Sequence, residues 1–345
     1  MAEYGIPYMG SKGSIVNELI RVFPKADHFY DLFGGGFSVT HGMMARRSRD
    51  FKHFHFNEIR PGICDLIKDA IDGKYNYNVF KPPWVSREDF FKNLDTDPMV
   101  KILWSFGNNG IGYLFSKKIE PYKKSMHSAI VFNEFDDLAT QVMGCSSFRE
   151  GYDIKSRRLV LRNRIEFYRK TTVPEFLYPF LKEKDLQVLK QNEQLEQLQQ
   201  LQELQQLQGL ERLEQLQELQ RLERLEQLEQ LERLEQLESL ERLERLNYYN
   251  LSYEQVSIKN NSIIYCDPPY AGTAEYDGGF DHKAFFNWAD DQANPVFISE
   301  YNVPDKRFTE IWNIKKRSNL SHAKTLNIKI EKLYVNKSGL KALRL

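Results

Sequence analysis

The tetrapeptide Asp267-Pro268-Pro269-Tyr270 follows the short apolar segment 262–266 and carries the clearest chemical signal in the chain. Two consecutive prolines fix φ and remove two backbone donors, so the carbonyls of this segment are rigid acceptors. A carboxylate and a fixed carbonyl can hold an exocyclic amino group and turn its lone pair towards an electrophile, while the tyrosine ring can stack on a planar base. The alternative is a simple strand-ending turn, because Asp and Pro are common in turns.

A second candidate is the glycine cluster Asp31-Leu32-Phe33-Gly34-Gly35-Gly36, which follows an apolar stretch and precedes a predicted helix over 38–47. Open α/β sheets use the order strand, glycine turn and helix to bind nucleotides at the carboxyl ends of their strands. Glycine lets the backbone come close to a ligand. The cluster is equally compatible with a tight turn that binds nothing.

Two neighbouring segments favour the nucleotide interpretation. Residues 54–59 predict a second strand that ends at Glu58, from which a carboxylate can accept hydrogen bonds from both ribose hydroxyls. Upstream, Tyr8, Gly10 and Lys12 place an aromatic ring, a glycine and a cation before a helical stretch over 14–22. Lys12 could contact a ligand carboxylate or could be a solvated surface lysine.

These elements predict the α/β class. Residues 295–301 form an apolar run, and residues 326–335 alternate apolar and polar side chains, which favours a terminal strand or hairpin. Together with the strands near residues 28, 54 and 262, they predict a twisted, mostly parallel sheet flanked by helices.

In these motifs and in their order, the sequence resembles the N6-adenine-specific DNA methyltransferases of the DNA adenine methylase family. The resemblance covers residues 1–135 and 247–335 and implies a Rossmann-like methyltransferase sheet whose last strand is antiparallel. It implies S-adenosylmethionine as the methyl donor and double-stranded DNA as the substrate. It implies catalytic roles for Asp267, Pro268, Pro269 and Tyr270, and donor-binding roles for Tyr8, Gly10, Lys12, Asp31, Phe33, Gly34, Gly35, Gly36, Glu58 and Asp267. No metal is required, because a sulfonium methyl is already activated and the amine needs only alignment.

The sequence departs from the family pattern at four positions. Leu32 stands where Pro is usual, Phe37 where a further Gly is usual, Tyr8 where Trp is common, and Glu58 where Asp is common. Phe37 matters most, because its side chain could narrow the donor site or pack into the core.

Two basic stretches suit a polyanionic partner. Four lysines lie among aromatic residues between 115 and 124, and residues 155–170 carry seven cations and one acid. Such clusters suit phosphate contacts, although a solvated surface explains them as well. The polar loop 108–113 resembles the family loop beside the target base. The predicted DNA contacts are Asn109, Tyr113, Lys117, Lys118, Lys123, Lys124, Arg157, Arg158, Arg162 and Arg164.

A leucine recurs at every third residue from 195 to 246, eighteen in succession, separated mainly by Glu, Gln and Arg. These residues are strong helix formers, so we predict a helical insertion. On an α-helix, each leucine lies about 60° around the axis from the leucine three residues before it. A straight partner helix or a coiled coil would therefore not bury the leucines. A hairpin bending near Gly209, a solenoid of short turns and a helix wrapped by its own chain remain open. The repeat is either a spacer or a surface for self-association or a protein partner.

The chain has 345 residues, 41% of them hydrophobic, which suffices for a buried core. Its net charge of zero conceals a net charge of −8 in residues 191–246 and +8 elsewhere, which is compatible with a nucleic acid. Three separated cysteines without a CxxC pattern favour a reducing, cytoplasmic setting and no disulfide framework or zinc site. Residues 1–7 lack a basic region followed by an apolar run, and nothing later approaches the roughly 20 apolar residues that a membrane span needs, so we expect neither secretion nor a membrane-spanning segment.

We therefore predict a methyltransferase core over 1–100 and 247–345, a DNA target-recognition region over 101–190 and the leucine-triplet insertion over 191–246. The predicted function is transfer of a methyl group from S-adenosylmethionine to N6 of adenine in a specific duplex sequence, in a prokaryotic or phage setting, with a cognate restriction endonuclease as a candidate partner in restriction-modification. The alternatives are an N4-cytosine or RNA-base amino methyltransferase, and a scaffold that binds DNA or a partner through the leucine repeat.

Overall fold

The computed structural model describes residues 4–77, 80–170, 243–270, 279–317 and 328–344, together with the single residues 228, 230, 232 and 234. Most of the predicted leucine-triplet insertion, and with it the choice among its conformations, lies outside the described residues. The chain divides into two compact units. The first comprises Met1–Asn76, Asn93–Ile111 and Gln230–Leu345, and the second comprises Tyr77–Lys92 and Gly112–Glu229.

A seven-stranded sheet lies in the first unit. In chain order its strands are β1 His28–Asp31, β2 His53–Asn57, β3 Leu246–Tyr249, β4 Ser262–Cys266, β5 Val296–Glu300, β6 Thr309–Arg317 and β7 Ile328–Val335. Their order across the sheet is β3-β2-β1-β4-β5-β7-β6. The first five strands pair in parallel, and β7 runs antiparallel to both β5 and β6. The predicted Rossmann-like methyltransferase sheet with an antiparallel last strand is therefore confirmed.

The continuous described ranges contain ten α-helices. They are α1 Val16–Leu19, α2 Ser38–Arg47, α3 Ile63–Ile71, α4 Arg87–Asn93, α5 Pro98–Leu103, α6 Glu120–Phe132, α7 Asp137–Met143, α8 Ile154–Lys170, α9 His282–Asp291 and α10 Lys337–Leu343. The sequence predicted helices over 14–22 and 38–47, which correspond to α1 and α2.

The burial of the central strands explains why they could be predicted from the sequence. All five residues of β4 and all five of β5 are buried. Parallel strands that are covered on both faces appear as continuous apolar runs. On one face, α9 packs Phe285, Phe286 and Ala289 against Tyr30 and Ile264 of the strands.

Two strands, β3 and β6, were not predicted. β3 begins at Leu246, the last leucine of the triplet repeat, and pairs in parallel with β2. Both lie at the edges of the sheet. Edge strands are covered less completely than central ones, so their residues need not form the apolar runs that reveal a central strand.

The second unit is helical in the part that the structure describes, with α6, α7 and α8 as its main elements. Asp136 is the N-cap residue of α7, and its side chain accepts a hydrogen bond from the backbone N–H of Ala139 at 2.8 Å. Trp84 stacks on Phe115 with ring centroids 5.6 Å apart.

The three cysteines, Cys64, Cys145 and Cys266, are free thiols. Within the described ranges, no group of three or more His, Cys, Asp and Glu side chains is arranged to hold a metal ion. No described helix combines the length and the apolar character needed to span a bilayer.

Candidate active site

The carboxyl ends of three neighbouring strands bring the sequence motifs together. β1 lies between β2 and β4, and Asp31 is level with Phe56 on one side and Tyr265 on the other. Glu58 directly follows β2 and Asp267 directly follows β4, so the three acids end adjacent strands at one edge. The backbone confirms this proximity, since Leu32 N donates to the Tyr265 carbonyl at 3.0 Å.

Close packing on both sides shapes the glycine turn. A Cβ atom at Gly34 would lie 2.1 Å from the ring of Phe56, and one at Gly36 would lie 2.5 Å from Cβ of Tyr8. The turn therefore admits no side chain at these two positions. The neighbouring Ile6 N also donates to the Gly36 carbonyl at 2.8 Å, which holds the N-terminal segment beside the turn.

Glu58 binds the backbone of this turn. Its Oε2 accepts a hydrogen bond from Gly35 N at 2.8 Å, and its Oε1 accepts one from Arg60 N at 3.0 Å. Burial raises the pKa of Glu58, and the two backbone donors oppose that rise. The carboxylate thus holds the turn in place, and any ribose hydroxyl would share its oxygens with these amides.

Three other predicted donor-binding residues differ in their surroundings. Tyr8 is half-buried, and the Arg60 guanidinium lies 5.2 Å from its ring centroid. Gly10 is exposed, with a φ of +82° that favours glycine. Phe33 packs edge-on against Phe285, with ring centroids 5.6 Å apart.

Phe37 packs into the core. Its side chain is fully buried and lies edge-on to Phe56, with ring centroids 5.1 Å apart. It adopts a left-handed φ of 68° directly before α2. The Phe37 side chain therefore packs into the core, the second of the two alternatives that the sequence left open. The glycine that is usual at this position in the family would suit the same left-handed backbone conformation.

Asp267, the acid that follows β4, pairs with Lys12. Lys12 Nζ donates to its Oδ2 at 2.5 Å, whereas its Oδ1 is buried and accepts no hydrogen bond from any described residue. Burial raises the pKa of Asp267, although the neighbouring Lys12 ammonium opposes this. Burial lowers the pKa of Lys12, but the carboxylates of Asp267 and Glu331 outweigh that effect and raise it. Lys12 is therefore a buried, charged partner of Asp267, 4% exposed, rather than a surface lysine.

Asp31 has a similar unsatisfied oxygen. Thr40 Oγ1 donates to its Oδ2 at 2.8 Å, and its Oδ1 is buried without a hydrogen-bond partner among the described residues. Burial raises the pKa of Asp31 to about 7, and the nearby charge of Asp267 adds to this effect. Each of the two acids therefore has one buried oxygen without a hydrogen-bond partner among the described residues.

The Pro269 carbonyl connects the tetrapeptide to α9. Pro268 is buried, and the Pro269 carbonyl lies 2.9 Å from Nε2 of His282, the first residue of that helix. This contact holds the turn after β4 at a defined position.

Two residues that contact Tyr270 were not predicted from the sequence. The Tyr270 hydroxyl donates to Glu331 Oε1, and the Tyr301 ring lies edge-on to the Tyr270 ring at a centroid distance of 4.5 Å. Glu331 lies on β7 and is 2% exposed. Its neighbours Lys329 and Lys332 are also charged, so the sequence contains no signal that singles out Glu331.

The predicted DNA contacts fall into two groups, and the first is buried or committed to internal contacts. In the first unit, Asn109 is half-buried and accepts a hydrogen bond from Ile111 N at 2.9 Å. In the second unit, Tyr113 donates to the Val85 carbonyl at 2.7 Å, and Lys123 is 2% exposed. Two arginines of α8 bind backbone carbonyls, Arg157 that of Ile130 at 3.0 Å and Arg164 that of Met143 at 2.9 Å.

The second group lies at the surface. Lys117, Lys118, Lys124 and Arg162 are exposed, and Arg158 is half-buried. The sequence could not separate the two groups, because a lysine or arginine within a basic stretch carries no mark of whether its head group is buried.

Comparison with known proteins identifies one family. The model of the D12 class N6 adenine-specific DNA methyltransferases matches residues 8–294. The match begins at Tyr8 and spans the glycine turn, Glu58 and the tetrapeptide. No curated protein matches the chain significantly.

Proposed function

Since its family model matches residues 8–294, the chain belongs to the D12 class of N6 adenine-specific DNA methyltransferases, and we propose that it methylates one specific sequence of double-stranded DNA. Membership establishes a DNA adenine methyltransferase of a family that uses S-adenosylmethionine. The finer proposal concerns the specificity of this chain and the residues that carry its chemistry.

The observation that supports the proposal best is the unsatisfied oxygen of Asp267. Its Oδ1 is buried one residue after β4, the strand that pairs with β1, and accepts no hydrogen bond from the described residues. A buried carboxylate oxygen without a partner is costly, so its retention suits a site that a ligand completes. The amino group of an extruded adenine is a donor of the required kind.

The acids at the sheet edge fit a cationic methyl donor. Asp31 and Asp267 each have a buried oxygen without a hydrogen-bond partner among the described residues, and Glu58 orders the glycine turn that follows Asp31. S-adenosylmethionine supplies a methyl group that is already activated as part of a sulfonium. We propose that Tyr8, Lys12, Asp31, the glycine turn and Glu58 hold this donor.

The protein then has to align the two reactants and exclude water from them. It does not have to activate the methyl group. Asp267 Oδ1 and the rigid carbonyls of the tetrapeptide hold the adenine amino group with its lone pair directed at the donor. Stacking on Tyr270 offsets part of the cost of extruding the base, about 1 to 3 kcal/mol per base. Fixing both reactants in this way is the main source of rate in such a transfer.

Nucleoside analysis tests the proposal. DNA incubated with the protein and S-adenosylmethionine should yield N6-methyldeoxyadenosine on digestion, and methylation-aware sequencing should place it in one sequence context. N4-methyldeoxycytidine or a methylated RNA base would support an alternative specificity. Donor binding without a methylated product on any DNA would support the scaffold function, and the sequence context would direct the search for a cognate endonuclease.

For DNA binding, we propose that the exposed cations of the second unit contact phosphates. Replacing both Lys117 and Lys118 by alanine should weaken binding and reduce the slope of log K against log salt by about 0.9 for each phosphate that the variant no longer neutralises. The measurement is fluorescence anisotropy of labelled duplex DNA between low and moderate salt.

The matched control is the pair Lys25→Ala and Lys52→Ala. Both lysines have exposed side chains, 79% and 71%, and they pair with Asp50 and Asp27. An equal change of slope in the two double variants would contradict a specific role for Lys117 and Lys118.

A further inference from the structure

Glu331 is a buried acid that faces the proposed active site from β7. Its side chain accepts the hydrogen bond of the Tyr270 hydroxyl, and its Oε1 lies 3.8 Å from Lys12 Nζ. We infer that Glu331 is a positioning residue, which holds the Tyr270 ring in the orientation that the target adenine needs for stacking. This inference rests on the proposed function and adds a residue that neither the tetrapeptide nor the glycine turn contains.

Glu331, Tyr301 and Lys12 are among the described residues that surround the Tyr270 side chain. Glu331 binds its hydroxyl, Tyr301 meets it edge-on at 4.5 Å, and Lys12 Nζ lies 4.9 Å from its centroid. The hydroxyl contact lies farthest from the backbone and so limits the tilt of the ring most strongly. A hydrogen bond to a carboxylate is also stronger than one between neutral groups.

The charges around Glu331 explain how an acid remains buried at this point. Lys12 lies between two carboxylates, 2.5 Å from Asp267 and 3.8 Å from Glu331. A buried carboxylate without partners would be strongly destabilised, and here one ammonium and one hydroxyl satisfy it. The same arrangement links the stacking ring to the acid that aligns the amine.

The test compares the effect of Glu331→Ala on kcat in two proteins, one with Tyr270 and one with Tyr270→Phe. On DNA that the wild-type protein methylates, Glu331→Ala should lower kcat by about 10- to 100-fold, the range expected for loss of a charged hydrogen bond, with little change in the KM for the donor. In a protein that already carries Tyr270→Phe, the same substitution should lower kcat less than about twofold, because the hydrogen bond is already absent. Glu331→Gln, whose amide oxygen still accepts, should retain more activity than Glu331→Ala.

The dependence on Tyr270 separates positioning from a general loss of structure. A merely structural glutamate would cause the same fold-loss in both backgrounds, and that result would overturn the inference. Glu310→Ala is the matched control, because Glu310 lies on the neighbouring strand β6 and pairs with Lys332 at 2.8 Å, where both side chains are partly exposed. It should leave kcat within about twofold.

A stability cycle tests the contact without turnover. The melting temperatures of Glu331→Gln, Tyr270→Phe and the double variant should be non-additive, since Tyr270→Phe removes the hydrogen bond and Glu331→Gln removes the charge that strengthens the same bond. Additive effects would overturn the inference even if Glu331→Ala did not fold. Failure of the proposed function is distinct, since it would show as a wild-type protein that methylates no DNA.

Discussion

Replacing Asp267 by asparagine is expected to reduce methyl transfer by about 10³-fold, because the substitution removes the negative charge that holds the adenine amine at the point of attack. Asparagine matches aspartate in size, and its amide oxygen can still accept the hydrogen bond from Lys12. Asp267→Ala should abolish activity. It would also leave the buried Lys12 ammonium without its partner at 2.5 Å and so would destabilise the first unit. Asparagine is therefore the more informative change.

Single-turnover transfer of a labelled methyl group to duplex DNA measures this effect. Anisotropy with the same duplex should show DNA affinity within about twofold of the wild type, since the phosphate contacts remain. Asp305→Asn is a suitable control, because Asp305 forms a surface ion pair with Arg307 at 2.6 Å. Near-normal turnover of Asp267→Asn would remove the aligning role that we propose.

Replacing Asp31 by asparagine should make the protein without donor more stable above neutral pH. Burial raises the pKa of Asp31 from its ordinary value of 3.8 to about 7, so the folded state binds a proton more tightly than the unfolded state. The contribution of Asp31 to stability is present in full below about pH 4 and is lost as the pH rises to about 7. At one pKa unit per 1.4 kcal/mol, the charged acid costs about 4 kcal/mol above pH 7, and Asp31→Asn removes that cost.

The same change should weaken donor binding. An ionised Asp31 offers an unsatisfied acceptor to a cation, so wild-type affinity for S-adenosylmethionine should rise as the pH passes through 7, and Asp31→Asn should lose both the affinity and its pH dependence. Melting temperatures between pH 4 and 8.5 and titration calorimetry with the donor measure the two effects. A variant that is less stable than the wild type at pH 8, or that binds the donor normally, would contradict the assignment.

Asp27→Asn provides the comparison for both measurements. Asp27 lies one residue before β1, at the opposite end of that strand from Asp31, and its partly exposed side chain pairs with Lys52 at 2.8 Å. Its hydrogen bond to Lys52 lowers its pKa, so the pH dependence has the opposite sign. We expect Asp27→Asn to leave donor binding unchanged.

Local sequence predicted much of the sheet and of the site because the relevant features are contiguous. The central strands β4 and β5 are buried throughout and consist mainly of apolar residues, and the rigidity of Pro268 and Pro269 needs no information from elsewhere in the chain. The edge strands β3 and β6 escaped prediction because they lack that continuous pattern. Lys123 and Tyr113 were predicted at a DNA surface and are buried, because a basic or aromatic residue type does not reveal the exposure of its side chain.

The amino-acid sequence by itself determined the class of chemistry, through an acid and two prolines at the end of a strand and through a glycine turn with an acid on the next strand. Only the tertiary structure decided which charges meet. Lys12 lies 255 positions from Asp267, and Tyr270 lies 61 positions from Glu331. The physical reason is that Asp267 and Tyr270 follow β4, whereas Lys12 precedes α1 and Glu331 lies within the antiparallel strand β7. Only the packing of these distant segments brings the charges together, so the partners and burial of each charge depend on that packing rather than on its neighbours in sequence.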